Sequence, residues 1–226
     1  MVQSILSQFN LELFLKIIPQ LIDGSVMTIK ITVFSIIIGL FLGTILGMGR
    51  ISHNVIYRYF SSFYIEFVRG TPLLVQIMII YFGLPSFGIN LGAYAAGILA
   101  LGLNSGAYVG EIIKAGILSV HVGQMEAARS LGMNYTKAMR YIILPQAFRN
   151  VLPAIGNEFI LLLKDSSLLS TIAIIELTRV GKQIYSSTYN AWTPLLGVAL
   201  FYLIMTLPLS KLVQYIENRW KIDRNS

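Results

Sequence analysis

The sequence predicts an all-helical membrane protein, and three observations carry that prediction. Charged residues make up 12% of the chain and hydrophobic residues 55%, with a mean hydropathy of +0.71. A soluble domain carries about a quarter of its residues charged. Five stretches approach the ~20 mostly apolar residues that hydrocarbon demands. Basic residues also crowd one set of flanks of those stretches, as cytoplasmic loops do.

The chain opens on "MVQSILSQFNLELFLK", in which Lys16 is the first basic residue. Without a basic region ahead of the apolar part, no cleavable signal peptide is expected. "FNLELFLKIIPQLIDG" is apolar but short and mixed. It reads as a helix lying at the interface, with Pro19 and Gly24 breaking it from the first span; a disordered tail is the alternative. Residues 1–24 are thus set apart within a single transmembrane domain, 1–226.

The five expected spans are 25–49, 69–85, 91–118, 151–175 and 191–213. In the first, Gly39, Gly43 and Gly47 line up small residues on one face, which suits close helix packing. Tyr57, Tyr59, Phe60, Trp192 and Trp220 fit an interfacial belt. Glu66 and Arg69 precede Gly70-Thr71-Pro72, where the residue before proline is driven from helix. That marks a bend at the entry of the second span, structural or part of an inner gate.

Five spans put the termini on opposite sides. One set of flanks holds Arg50, Arg58, Arg129, Lys137, Arg140, Arg149, Lys211, Arg219, Lys221 and Arg224; the other holds Lys16, Lys30, Lys164, Arg179 and Lys182. Ten against five, leaving aside Arg69 and Lys114 near the span ends, makes the first set cytoplasmic, with the N-terminus outside and the C-terminus inside. The net charge of +7 is therefore read as topology, not as a nucleic-acid surface. The chain has no cysteine, so disulfides and thiolate metal sites are excluded. His53 and His121 stand alone, and no metal site is expected. No phosphate-binding loop is present: Gly181-Lys182 lacks the upstream glycine and is followed by Gln183.

Between the third and fourth spans the chain turns polar for about thirty residues, "SVHVGQMEAARSLGMNYTKAMRYIILPQAFRN" (119–150). A connector of this kind needs only a few residues. Val122, Met125, Ala128 and Leu131 recur at three-residue spacing and are expected on one face of a short helix. His121, Gln124, Glu126, Arg129 and Ser130 occupy the rest. Gly132 suits a left-handed cap, and Asn134 or Thr136 caps the next helix. That helix, from Tyr135 to about Leu144, groups Ala138, Met139, Ile142 and Ile143, and Pro145 breaks or kinks it. The stretch reads as a rigid cytoplasmic knob, and docking a partner is the natural reason for it.

Glu126-Ala127-Ala128, three residues, Gly132, nine residues, Ile142, one residue, Leu144-Pro145 resembles the EAA loop of ABC importer permeases. "FVRGTPLLVQ" (67–76), "LNSGAYVGEIIKAGILSVHVGQMEAARSLG" (103–132) and "LPQAFRNVLPAIGNEFILLLKDSSLLSTI" (144–172) are similar to the polar amino-acid branch. The resemblance runs from about residue 20 to the end. It departs in small ways: the family often has Ala and Arg where Gly110 and Lys114 stand. It implies a type I ABC importer-like permease fold of five transmembrane helices plus coupling helices in 119–145. It implies no cofactor of the chain's own, ATP being bound by the partner.

The partners implied are two copies of an ATP-binding cassette subunit, a second permease chain, alike or similar, and an extracytoplasmic amino-acid-binding protein. In the family, the short helix before the glycine enters a groove on the ATPase. Val122, Gln124, Met125, Glu126, Ala127, Ala128, Arg129, Leu131 and Gly132 are the coupling residues so implied. Physically, Glu126 accepts hydrogen bonds, Ala127 and Ala128 keep the knob thin, and Gly132 lets the chain reverse.

An ionisable group inside a span is a site candidate. Asn157 and Glu158 lie about a dozen residues past Pro145, roughly 18 Å up and near the midplane. Lys164-Asp165-Ser166-Ser167 then interrupts the apolar run and reads as a discontinuous helix, which exposes backbone groups to substrate. Glu158 or Asp165 is expected to hold an ammonium or a cationic side chain, and freed amides at 165–168 a carboxylate. Lys164 pairs with Asp165 or with Glu158, and a buried structural ion pair is the plain alternative. Asn104, Ser105 and Tyr108 either line the same cavity or glue helices. Glu111 and Lys114, at i, i+3, are expected to bridge each other and snorkel, with substrate contact the alternative. Glu176, Arg179 and Lys182 are expected outside, on a solvated face or against the binding protein.

The reading is a bacterial cell-membrane permease subunit that imports polar amino acids by alternating access, in contact with lipid and not nucleic acid. It is no enzyme itself. An ion-coupled secondary transporter is the alternative; that class usually carries inverted repeats, which this sequence lacks.

Overall fold

The computed structural model describes residues 9–221. The first eight residues of the expected interfacial segment, and Arg224 of the basic flank, lie outside them. Every regular element among the described residues is helical. In chain order they are α1 (Leu11–Arg50), α2 (Val55–Arg69), α3 (Leu73–Met78), α4 (Ala93–Leu118), α5 (Val122–Ser130), α6 (Tyr135–Ala138), α7 (Leu144–Asp165), α8 (Leu177–Thr188) and α9 (Trp192–Lys221). A π-helical turn and a 3₁₀ turn carry α3 on to Phe87, and a 3₁₀ turn, Ser166–Ile172, follows α7.

The expected break at Pro19 and Gly24 does not occur. α1 is one helix of 40 residues with Pro19 inside it. Proline forfeits one helical hydrogen bond and strains the preceding turn, at about 3 kcal/mol. Packing offsets this: Ile17 and Leu21 join Leu177, Val180, Ile184 and Val198 in a buried cluster. Gly24 serves contact, since a Cβ there would lie 2.9 Å from Leu177 Cα.

The glycine face of α1 lies against α4. Added Cβ atoms would meet Ser105 from Gly39, Val109 from Gly43, and Gly110 and Ile113 from Gly47. The constant offset along both chains makes α1 and α4 parallel. α7 and the chain after it return antiparallel to α4, with Gly116 against Val151 of α7 and Gly97 against Leu169 and Ile174 beyond its end. α9 closes the bundle through Gly156–Val213 and Gly181–Val198. Ile31, Ile77, Leu101, Leu162, Leu169 and Ile172 form the central core.

Among the described residues, three helices are long and apolar enough to cross a membrane: α1, α4 and α9. Val55–Arg69 and Leu73–Phe87 together have the character of a broken span, bent by 101°. The bend falls at Gly70-Thr71-Pro72, where the sequence expected it. α7, which carries the fourth apolar stretch, is less apolar because polar residues run along it.

Candidate functional site

The polar stretch 119–150 folds as a braced knob. His121 caps α5, its Nδ1 accepting the Gly123 N–H at 3.1 Å. The helix ends through Gly132, at φ +82, with the Met133 N–H donating to the Ala128 carbonyl at 3.1 Å. Of the two expected caps for the next helix, Asn134 serves: its Oδ1 accepts the Lys137 N–H at 2.9 Å. The apolar base holds Ile117, Ile143 and Ala147, with Met125, Met139 and Ile142 against them.

Two expectations are corrected here. Val122, Met125, Ala128 and Leu131 do not share one face. Ala128 is buried and Met125 packs into the base, whereas Val122 and Leu131 are 66% and 85% exposed. Three-residue spacing lags the helix by about 60° per step, so nine residues bring Leu131 to the side opposite Val122. Of the two effects expected of Pro145, a break or a kink, the break does not occur. A π-helical turn, Met139–Ile143, runs straight into α7, with Pro145 in the first turn. A widened turn absorbs the hydrogen bond that proline cannot make.

The knob's outward surface is Val122, Gln124, Glu126, Ala127, Arg129 and Leu131, all exposed. The Glu126 side chain has no partner among the described residues. Gln124 touches Gln146 at 3.4 Å. Such a surface, stiff beneath and apolar with charge above, suits insertion into another protein.

Inside the bundle, Glu158 is 6% exposed and interacts with Ser105, which is fully buried. The Ser105 hydroxyl is near enough to act on the Glu158 carboxyl but makes no hydrogen bond of ordinary length and angle. Asn157 faces the other way, into a cleft of about 850 Å³ that Asn150 and Trp220 also line. Lys164 and Asp165 are exposed, and Lys164 forms no salt bridge among the described residues, with Asp165 or with Glu158. The expected free amides are not all free: the Ser166 N–H bonds the Leu162 carbonyl as α7 tightens to 3₁₀. Ser166 is buried with its hydroxyl on the Leu163 carbonyl, 2.7 Å. The left-handed residue comes later, at Ala173.

Asn104 bonds across helices. Its Nδ2 donates to Gln76 Oε1 at 3.0 Å, and Gln76 Nε2 donates to the Val68 carbonyl at 2.8 Å and to Thr71 Oγ1 at 2.9 Å. Gln76, absent from the sequence-based candidates, thereby pins the 101° bend. Tyr108 lies under Arg69, whose guanidinium carbon is 5.4 Å from the ring centroid.

Beside the bend sits a charge cluster. Lys114 reaches Glu111 at 3.5 Å as expected, but Glu111 also binds Arg50 and, at 3.6 Å, Arg69. Arg50 in turn reaches Glu66 at 3.2 Å. Contacts across three helices are invisible to local spacing, so the sequence reading had only the Glu111–Lys114 edge.

At the far end, Glu176 is fully buried, contrary to the expected solvated face. It caps α8, accepting the Thr178 and Arg179 N–H groups at 2.8 and 2.7 Å and the Tyr202 hydroxyl at 3.2 Å. Burial pushes its carboxyl above the ordinary range, and those hydrogen bonds oppose the shift. Arg179 and Lys182 line a shallow cleft of about 430 Å³. Lys182 Nζ donates to Ser170 Oγ at 2.9 Å.

Comparison with known proteins agrees with this geometry. Residues 14–222 match the family described as binding-protein-dependent transport system inner membrane component. The chain is 40% identical over 217 residues to the glutamine transport system permease protein GlnP of Escherichia coli (strain K12), covering 95% of this chain and 99% of that one. It is 42% identical over 205 residues to the arginine transport system permease protein ArtQ of Bacillus subtilis (strain 168), covering 90% and 94%. Among solved structures, a chain of an amino acid ABC transporter crystallised with histidines superposes with a TM-score of 0.90 at 47% identity, covering 93% of this chain and 98% of that one.

Proposed function

Since the chain belongs to the family of binding-protein-dependent transport system inner membrane components, and is thus the permease subunit of an ABC importer, we propose that it carries polar amino acids into the cytoplasm by alternating access. A binding protein delivers the amino acid from outside. Two ATPase subunits bind and hydrolyse ATP, and a second permease chain, identical or similar, completes the pathway. The chain crosses the bacterial cell membrane five times with its N-terminus outside.

One observation carries this reading: the knob formed by α5 is locked at its base and exposed at Glu126, Ala127, Arg129 and Leu131. A stiff lever transmits displacement, whereas a floppy linker absorbs it. Closure of the ATPases pulls α5, and α5 moves α4 and α7 through the Ile117, Ile143 and Ala147 base. Between those helices stand Glu158 and Ser105, with Asp165 further out. A buried carboxylate without a cation is costly, and an amino acid's ammonium or cationic side chain neutralises it. Lys164, Asn157, Ser166, Asn104 and Tyr108 shape the surroundings, Asn104 through the bend.

The test is reconstitution of the full complex in liposomes with internal ATP. Uptake of glutamine or arginine that needs the ATPase and the binding protein supports the reading. Uptake driven by an ion gradient without ATP overturns it.

A further inference from the structure

We infer that the cleft between α4, α7 and the end of α9, at the root of the knob, binds the amino acid already released into the cytoplasm and brakes the transporter. The inference rests on the importer reading and adds to it a regulatory ligand, held at a place apart from Glu158.

The course of α7 leads there. Gln146, Asn150 and Asn157 fall at i, i+4 and i+11, with Arg149 beside Asn150. All four line one cleft of about 850 Å³, so a polar stripe climbs about 16 Å along the helix. Inside a membrane such side chains face a bundle interior or a water-filled cavity, because hydrocarbon leaves their hydrogen bonds unmade. Asn157 is exposed, so the cleft admits water. Ser119 and His121 line its other end, where the chain leaves α4 for the knob.

The lining offers both poles of an amino acid. Arg149 of α7 and Glu217 of α9 border the same space, one suited to a carboxylate and the other to an ammonium. Trp220 adds apolar surface for a side chain. The volume falls within the range of about 300–1,000 Å³ usual for small-molecule sites. A lipid head group would meet the charges, but would lay its chains along Asn157. Arg149 and Glu217 each also have a contact within the chain. The ligand competes for them, so its affinity is weak, as suits a sensor of accumulated product.

Occupancy reaches the knob. Asn150 Nδ2 donates to Ser119 Oγ at 2.9 Å, and Gln146 Nε2 donates to Gln124 Oε1 at 3.4 Å. The wall of the cleft is thus the support of α5. An amino acid spanning Arg149 and Glu217 ties α7 to α9, and the lever does not swing while they are tied.

The experiment uses proteoliposomes with the binding protein and L-glutamine sealed inside and ATP added outside. Only complexes with the cytoplasmic face outward hydrolyse that ATP. L-Arginine is run in a parallel series. External amino acid should lower hydrolysis, with half-inhibition at about 1 mM, the affinity of a few competing polar contacts. The α-amide, which lacks the carboxylate, and the deaminated acid, which lacks the ammonium, should each inhibit about tenfold more weakly. Arg149→Gln should erase the discrimination against the amide alone, and Glu217→Gln that against the deaminated acid alone. Arg149→Lys should restore part of the first.

A second readout needs no hydrolysis. Ser119→Cys, in a chain without cysteine, should be shielded from an impermeant thiol reagent by external L-glutamine or L-arginine and less by the analogues, with the same dependence on Arg149 and Glu217. Several outcomes overturn the inference. One is hydrolysis and labelling that ignore external amino acid at about a hundredfold higher concentration. Another is inhibition with unchanged discrimination in both Gln variants, which places the inhibitor elsewhere in the complex. A third is a pair of Gln variants that hydrolyse no ATP and lose shielding by amino acid and analogues alike, which marks the residues as structural. Hydrolysis stimulated by the binding protein but blind to external amino acid removes this inference alone, whereas hydrolysis that the binding protein does not stimulate removes the importer reading.

Discussion

The Met133 N–H donates to the Ala128 carbonyl at 3.1 Å, closing the α5 knob over Gly132 at φ +82. A Cβ at Gly132 would meet nothing within 4 Å. The demand is therefore conformational, since left-handed backbone costs an L-residue about 1–2 kcal/mol. Substitutions at Gly132 should rank Asn mildest, then Ala, then Val. The ratio of ATP hydrolysed to amino acid transported should rise in that order while membrane insertion stays normal. Normal coupling in Gly132→Val would count against the docking role.

Gly43 makes the opposite demand. Its helical backbone is unstrained, but a Cβ would lie 2.5 Å from Val109 Cβ. Gly43→Leu must push α1 off α4, and overpacking of this kind costs about 1–3 kcal/mol. The Tm of the solubilised protein should fall. Gly92→Ala, where nothing lies within 4 Å, should leave it unchanged. Equal Tm values for both variants would disprove the close α1–α4 contact.

Glu158→Gln keeps the volume and removes the charge beside Ser105. Uptake in liposomes should drop about tenfold, the worth of a charge-assisted contact. The loss should persist at saturating binding protein, because delivery is untouched. Undiminished uptake would remove Glu158 from the substrate path.

Glu176 gives a pH signature. Its carboxyl is raised by burial above 4.5, so the folded state binds its proton more tightly than the unfolded state. Stability from this group is complete below about 4.5 and is lost as pH rises through the raised value. Glu176→Gln keeps an acceptor for the α8 cap without titrating. The Tm of the wild type minus that of Glu176→Gln should therefore decline with rising pH. A difference that grows with pH would mean that the ionised cap is the stable one.

How much of this was legible in the sequence depends on the range of the forces involved. The knob's ends at His121, Gly132 and Asn134 are local, so Gly132 and Asn134 could be read from residue type and spacing. The Gly39, Gly43 and Gly47 face was legible because helical spacing alone creates it. Pro19 misled, since its local penalty is outweighed by Ile17 and Leu21 packing on α8 and α9. Glu176 misled in the same way: an acid in a polar run reads as solvated until Tyr202 arrives from another helix. The Arg50–Glu111 and Gln76–Asn104 contacts join residues 61 and 28 apart, and no periodicity encodes them.

The chain lacks cysteine, so one introduced thiol reports without ambiguity. Leu131→Cys places it on the tip of the knob, at a position 85% exposed in the wild type. In the assembled complex, a short thiol-reactive cross-linker should join it to the ATPase subunit, with a yield that changes on ATP binding. Cross-links only within the permease, or labelling of the introduced thiol from outside intact cells, would contradict the account.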